Sequence, residues 1–239
     1  MNNLENVAQA SRLSEISHSR DDCATLQYAI FKPLDFGIPI NISRRNLPHW
    51  EQEGTTYFIT FRLSDSLPAE KLDEWKTVRA AWLKNHSLPY SKEEWQEYNK
   101  LFSQRINDWL DLGHGSCLLR KERVSQIVSD ALRYFDGKKY SLGEWVIMPN
   151  HVHFIITPYP TFELSDILRS IKSYTSHQIN KLLGHSGKIW QEESFDHIIR
   201  NERQKNRIEQ YIIDNPKTAG LTTGFKCSSE NVAQASSPE

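Results

Sequence analysis

The 239-residue sequence predicts an α+β fold in which helices cover a mainly antiparallel sheet. Three observations predict it. Short aromatic or β-branched runs alternate with amphipathic stretches, two of these runs are separated only by Pro149-Asn150, and 38% of the residues are hydrophobic. So short a connection implies an antiparallel hairpin. The composition suffices for a packed core and for one sizeable domain.

The predicted elements follow the order strand, helices, strand, strand, helix, strand, helix. The first strand, residues 55–63, is aromatic and β-branched and is bounded by turn residues. Strands are also predicted over 140–148, 151–157 and 195–199, and helices over 120–135, about 162–183, and 202–215, where Pro216 is expected to end the last one. This β-α-β-β-α-β core resembles a ferredoxin-like split βαβ unit, with an added C-terminal helix.

A helical insertion is predicted at about 67–113, after the first strand. Its apolar residues and tryptophans recur every three or four positions, which predicts two amphipathic helices. We expect Trp75, Trp82, Trp95 and Trp109 to be buried against the core of the domain.

The two ends of the chain are predicted to be tails. Residues 1–43 are polar and lack sustained periodicity, so they are expected to be partly disordered, while 44–222 form the domain and 223–239 a Ser-rich tail. The string ENVAQAS occurs in both tails. It is interpreted either as low-complexity coincidence or as a small tag, or alternatively as repeated DNA read in frame. No run approaches the roughly 18 apolar residues of a membrane span, so a soluble, cytoplasmic protein without membrane contact is expected.

Charge gives little information about the partner. The net charge of −1 argues against a protein that coats duplex DNA by bulk electrostatics. Residues 113–226 carry 16 Lys and Arg against 12 Asp and Glu, a weak indication of a polyanionic partner. Cys23, Cys117 and Cys227 form no CxxC pair, so neither a disulfide framework nor a zinc ribbon is predicted.

Two histidines follow the predicted hairpin turn. His151 and His153 should project from one face of a strand, while Val152 points to the helix-covered core. Two imidazoles on one face can share a metal ion or a phosphate. The alternative at this level is that two histidines simply lie on a wet sheet face, since no third ligand is adjacent in sequence. On the last helix, Tyr211 and Asn215 are four residues apart and share one face, although packing and an ordinary helix end explain them equally well.

Three motifs together resemble a known family. The stretches WVIMPNHVHFI, GKIWQEESFDHIIRN and YIIDNPKTAGL occur in this order between residues 44 and 221. They resemble the REP-associated tyrosine transposases, which belong to the HUH single-strand transposases, where U is an apolar residue. The order and spacing of all three make the resemblance specific, whereas HxH alone does not.

The resemblance implies a role for each matching residue. His151 and His153 match the metal-ligand histidines, Tyr211 the nucleophile, and Asn215 the polar side chain that completes metal coordination. Tyr174 is a competing tyrosine, but it lies in an apolar stripe and is expected to be a core residue.

The implied chemistry is metal-dependent cleavage and rejoining of single-stranded DNA. Mg²⁺ or Mn²⁺ would polarise the scissile phosphate, and Tyr211 would attack it to give a 5′-phosphotyrosine link and a free 3′-OH. That link retains the phosphodiester energy, so strands can rejoin without ATP. The family is associated with repeat hairpins in DNA transposition.

The expected partners are single-stranded or hairpin DNA, bound by a monomer or homodimer. Phosphate contacts are expected from basic residues, although each singly is as well explained as a solvated surface charge; they are Arg44, Arg45, Lys138, Lys139, Arg200, Arg203, Lys205 and Arg207. Two other functions stay open: a domesticated protein that binds repeat hairpins without cutting them, and a Zn²⁺ hydrolase in which Tyr211 is dispensable.

Overall fold

The computed structural model describes residues 31–35, 37–39, 41–44, 48–87 and 90–228. The strands are β1 (Asn41–Arg44), β2 (Pro48–Glu51), β3 (Tyr57–Arg62), β4 (Tyr140–Ile147), β5 (His151–Pro158), β6 (Phe195–Ile198) and β7 (Lys226–Cys227). The helices are α1 (Ala69–Asn85), α2 (Lys92–Tyr98), α3 (Arg105–Asp111), α4 (Glu122–Arg133), α5 (Leu164–Leu183) and α6 (Glu202–Thr218), with a π-helical turn at Asn99–Gln104 and a 3₁₀ turn at Leu118–Arg120.

The central sheet has five strands in the order β6-β3-β5-β4-β7, and every neighbouring pair is antiparallel. The elements β3, α4, β4, β5, α5 and β6 form the predicted β-α-β-β-α-β core, so the ferredoxin-like α+β fold is confirmed. The short strands β1 and β2 pair separately. β7 lies in the segment predicted to be the C-terminal tail, and it pairs with β4.

One face of the sheet, here the α4–α5 face, holds the main core. Alternate residues of the strands, such as Phe61, Val152 and Phe154, are fully buried there against α4 and α5. The prediction that Tyr174 is a core residue is wrong, because its side chain is 53% exposed. Thr175 takes the inward position instead and accepts a hydrogen bond from Trp190 Nε1 at 2.8 Å.

The opposite face, here the α6 face, is covered by α6. Ile212 packs there with Phe58, Val146 and Ile155. The predicted end of this helix at Asn215 is wrong. Pro216 removes one backbone donor, yet the N–H of Ala219 still donates to the carbonyl of Asn215 at 3.0 Å, so the helix runs on to Thr218.

The insertion has a small core of its own. Trp82, Tyr98 and Phe102 are buried together, with Trp75 packed against them. The expectation that the tryptophans bury against the main core is wrong for these two, because three helical pieces and a π-helical turn, rather than two helices, allow the aromatic side chains to face one another. Trp109 is partly exposed beside Lys71 and Arg105.

Within the described ranges, no helix combines the length and apolar composition needed to cross a bilayer. Both copies of ENVAQAS and Arg45 lie outside these ranges.

Candidate active site

The two histidines lie on β5, the middle strand of the sheet. β5 pairs with β3 on one side and β4 on the other, which places His153 between Thr60 and Val146. Both imidazoles project to the α6 face and neither has exposed surface, while Val152 enters the opposite core. The interpretation as histidines on a wet sheet face is therefore wrong. The two ring centroids are 4.6 Å apart.

Hydrogen bonds fix the orientation of both rings. Asn150 Nδ2 donates to the carbonyl of His114 at 3.0 Å, so Asn150 Oδ1 is the atom that faces His151 Nδ1 at 2.8 Å. Because a carbonyl oxygen only accepts, His151 Nδ1 carries the proton and Nε2 keeps its lone pair. In metal-binding histidines, a hydrogen-bond acceptor on the nitrogen that does not bind the metal fixes the ring in the same way.

His153 is oriented from β3. Its Nδ1 lies 2.7 Å from Thr60 Oγ1, and its Nε2 lies 3.2 Å from the hydroxyl oxygen of Tyr211. The arrangement is consistent when Nδ1 donates to Thr60 and Nε2 accepts from Tyr211. In both histidines, Nε2 is then the unprotonated nitrogen on the α6 side, without a hydrogen-bond partner in His151 and accepting from Tyr211 in His153.

Helix α6 brings Tyr211 to this place. The helix begins after Asn201, whose side chain accepts from Gln204 N at 2.9 Å and so caps the first turn. Ile208 and Ile212 pack on the sheet and set the rotation of the helix. The Tyr211 ring then lies 5.3 Å from the His153 ring and 6.1 Å from Phe58. The structure thus joins two sequence motifs that are 58 residues apart.

Asn215 lies one helical turn after Tyr211 and is 1% exposed. Neither atom of its amide has a hydrogen bond of ordinary geometry. The amide nevertheless lies close enough to Tyr211 and to Asp111 to lower the pKa of each, against larger opposing effects. A buried amide without hydrogen bonds of ordinary geometry costs stability, so this position is unfavourable for packing alone.

Asp111, at the end of α3, was not predicted from the sequence. Its Oδ1 is buried without a hydrogen-bond partner and lies 3.8 Å from His151 Nε2. Burial raises the pKa of this carboxyl to about 6, and Asp108 adds to the effect. At neutral pH the insertion therefore places a negative charge beside the imidazoles.

Burial also sets the protonation of the other groups. It lowers the pKa of His151 to about 3 and that of His153 well below its ordinary value, with a further contribution from His151 in the second case. The pKa of Tyr211 is raised, first by burial and then by Asp111 and Asp108. At neutral pH the site holds two neutral imidazoles and a neutral phenol.

These groups fit a divalent cation in donor chemistry. Neutral imidazole nitrogens and an amide or carboxylate oxygen are ligands that Mn²⁺ accepts, whereas Mg²⁺ favours the oxygens. Among these groups, the buried polar atoms without a hydrogen-bond partner are His151 Nε2, Asp111 Oδ1 and both amide atoms of Asn215. Over the residues that the structure describes, no three His, Cys, Asp or Glu side chains already surround a common point.

The predicted DNA-binding residues fall into separate groups. Lys138 and Lys139 precede β4, at the end of the β4–β5 hairpin opposite the histidines, where they lie over the rings of Tyr134 and Phe135. From His153 to Pro158, β5 spans roughly 16 Å. These two lysines are not brought to the site.

The basic residues near α6 are on the same helix as Tyr211 or just before it. Arg200, Arg203 and Arg207 are exposed, while Lys205 pairs with Glu209 at 2.7 Å. Arg207 is four residues before Tyr211 and so shares its helical face. Arg44 is on β1.

A model of the family described as "Transposase IS200 like" matches residues 118–215. The matched segment contains His151, His153 and Tyr211 and ends at Asn215. Over these residues the chain is similar to the IS200-like transposases, which agrees with the resemblance predicted from the three motifs. β3 and the insertion lie outside the matched residues.

Two solved structures are similar to a large part of the chain. One is a REP-associated tyrosine transposase bound to a REP hairpin, with 18% identity, a TM-score of 0.43, and coverage of 80% of this chain and 86% of that one. The other is a transposase described as putative from Deinococcus radiodurans, with 13% identity, a TM-score of 0.30, and coverage of 67% and 89%. No curated protein matches the chain.

Sequence reasoning missed the residues that orient the histidines and the charge beside them. Asn150 immediately precedes the HxH motif, so its position is a usable signal. Thr60 and Asp111 carry no such signal, because strand register and helix packing bring them to the site.

Proposed function

We propose that the protein cleaves and rejoins single-stranded DNA at repeat hairpins during transposition, with Tyr211 as nucleophile. Mg²⁺ or Mn²⁺ would be held by His151, His153 and Asn215. The observation that carries the proposal is the 3.2 Å contact between the Tyr211 hydroxyl and His153 Nε2, which joins the two motifs. The IS200-like segment supports it, because all four residues lie within that segment.

The residues of this chain contribute binding, orientation and a nucleophile. Tyr211 is protonated at neutral pH, since burial raises its pKa. Its reaction forms a bond from the phenolic oxygen to phosphorus and breaks the bond from phosphorus to the 3′ oxygen. The phenolic proton leaves Tyr211, and the 3′ oxygen is released as a hydroxyl. A bound divalent ion supplies charge stabilisation on the phosphate oxygens.

Orientation of the imidazoles is the second contribution. Asn150 and Thr60 hold both histidines with Nε2 toward α6 before any ligand arrives. Neutral imidazole is the form that binds metal, and the lowered pKa of each histidine maintains it at neutral and mildly acidic pH.

The test is covalent trapping with Tyr211→Phe. Wild-type protein, Mn²⁺ and hairpin oligonucleotides with single-stranded flanks should give a denaturant-resistant protein–DNA adduct, and Tyr211→Phe should give none. The matched control is Tyr174→Phe, which removes an exposed tyrosine hydroxyl and should leave the adduct at wild-type level.

Three outcomes oppose the proposal. An adduct that persists in Tyr211→Phe would show that another residue is the nucleophile. Hairpin binding by wild type without cleavage, in either metal and across several hairpin sequences, would favour the non-cleaving DNA-binding protein. Phosphodiester hydrolysis with Zn²⁺ in Tyr211→Phe would favour the metal hydrolase.

A further inference from the structure

A cavity of about 520 Å³ lies between the insertion and the β3–β6 edge of the sheet. One wall comes from α1, the π-helical turn and α3, and the other from β3, β6 and the segment before β6. Residues from both walls line the cavity, among them Thr60, Arg62, Trp75, Lys76, Phe102 and Gln191.

The cavity adjoins the candidate active site. Thr60, which lines it, also contacts His153 Nδ1 at 2.7 Å. Arg62 is directly opposite His151 in the pairing of β3 with β5. On the insertion side, Leu110 lines the cavity, and the next residue is Asp111 beside His151. The cavity therefore borders the residues that contact or pair with both histidines.

The lining suits a nucleobase and its phosphate. Trp75 and Phe195 supply partly exposed aromatic surface, and stacking on aromatic rings is the main sequence-tolerant contact to single strands. Arg62 and Lys76 add positive charge to the lining, with Lys76 also paired with Asp73 at 3.1 Å, while Arg79 is held by the Tyr98 hydroxyl at 2.7 Å. Gln191 and Asn107 can hydrogen-bond to a base edge.

The size and the polar groups together exclude simpler occupants. A cavity of this volume is within the range of small-ligand sites. A purely apolar ligand would leave Arg62 and Gln191 desolvated without compensation. Arg62 is already partly desolvated, since burial lowers the pKa of its guanidinium to about 10, and its Nη1 donates to Ser66 Oγ at 3.0 Å.

We infer that this cavity receives an unpaired base of the DNA single strand next to the phosphate that Tyr211 attacks. The inference rests on the proposed function for its substrate. It gives the insertion a role in DNA selection, because half of the cavity exists only where the insertion is present.

The test fills the cavity from its rim. Ala80 lines the cavity and is exposed, and Ala81, the next residue of α1, is also exposed but does not line it. Ala80→Trp should occupy the cavity, and Ala81→Trp is the matched control. Affinity is measured by fluorescence anisotropy with labelled hairpin oligonucleotides whose thymidine flanks carry one abasic position, moved through the flank one nucleotide at a time.

Wild type and Ala81→Trp should lose roughly 5- to 100-fold in affinity when one flank position is abasic, as expected for a stacked base. Ala80→Trp should bind the intact flank as weakly as wild type binds the abasic one and should show no further loss. The inference is overturned if Ala80→Trp discriminates as wild type does, or if no abasic position weakens wild-type binding.

Adduct formation measured on the same oligonucleotides separates the two proposals. Adduct formation by wild type, with identical abasic profiles for Ala80→Trp and Ala81→Trp, overturns the cavity inference alone. Absence of any adduct overturns the proposed cleavage, while the anisotropy profiles still decide whether the cavity binds a base.

Discussion

On the α4–α5 face of the sheet, β5 contributes Val152, Phe154 and Ile156, all fully buried among other apolar side chains. On the α6 face, the same strand contributes His151 and His153, also fully buried. The α4–α5 face is stabilised by the packing of apolar side chains. The α6 face keeps several polar atoms without partners, each of which costs about 1–3 kcal/mol of stability.

The difference shows how one strand serves two purposes. Alternation along β5 separates them completely, because neighbouring residues point to opposite faces. Apolar packing on one side holds the strand rigid. The α6 face can then keep an arrangement of imidazoles, amide and phenol that would be unfavourable without a ligand.

The largest expected effect tests whether one chain supplies every residue of the candidate active site on the α6 face. His153 and Tyr211 contact each other in the same molecule. An equimolar mixture of His151→Ala and Tyr211→Phe should therefore give no covalent adduct, because each chain lacks one component of its own site. The readout is adduct on a denaturing gel, and mixtures of each variant with wild type are the controls. Adduct from the mixture of the two single variants would show that α6 is exchanged between protomers.

The next effect tests the packed face. Phe154→Ala removes a fully buried ring that stacks edge-on against Phe61 at 5.6 Å. The free energy of unfolding should fall by about 3–5 kcal/mol in a chemical denaturation experiment. Tyr174→Ala, on an exposed side chain, should change it by at most about 0.5 kcal/mol. A loss under about 1 kcal/mol for Phe154→Ala would contradict the assignment of this face as the main core.

The smallest expected effect concerns the orientation of His151 on the α6 face. Asn150→Ala removes the acceptor that fixes His151 Nδ1, so Mn²⁺ affinity should fall by roughly 10- to 100-fold in a calorimetric or EPR titration. Asn180→Ala is a matched control, because this side chain also bonds a backbone carbonyl and a histidine, at Gly187 and His185, away from the site. Equal Mn²⁺ affinity for both variants would contradict the role given to Asn150.

Much of the fold was predictable because its signals are local. The period of two around Val152 and the two-residue turn before His151 specify a hairpin and its buried face. The separation of Tyr211 and Asn215 by four residues specifies one helical face. These local rules gave the ferredoxin-like core, whereas the residues of the candidate site were selected by the resemblance of the three motifs.

The remainder depends on contacts between distant segments. Tyr174 fits an apolar period, yet Thr175 takes the inward place because it accepts from Trp190. The insertion's tryptophans fit amphipathic helices, but periodicity does not reveal that they face one another. Asp111 reaches His151 only through the packing of α3, and no pattern in the sequence encodes that approach.

The two ends of the insertion meet at one point on the sheet. Asp65 Oδ2 accepts a hydrogen bond from Ser116 N at 2.8 Å, which joins the segment before the insertion to the segment after it. The turn before β5 contacts both segments, because the carbonyl of Asn150 accepts from Leu63 N and the carbonyl of Pro149 accepts from Leu119 N. Gly115 adopts a positive φ, and a side chain there would collide with the backbone of Asp65. The chain therefore leaves the sheet domain and returns to it at adjacent positions. In evolutionary terms, a segment attached in this way can be lengthened, shortened or replaced while the path of the core strands is unchanged.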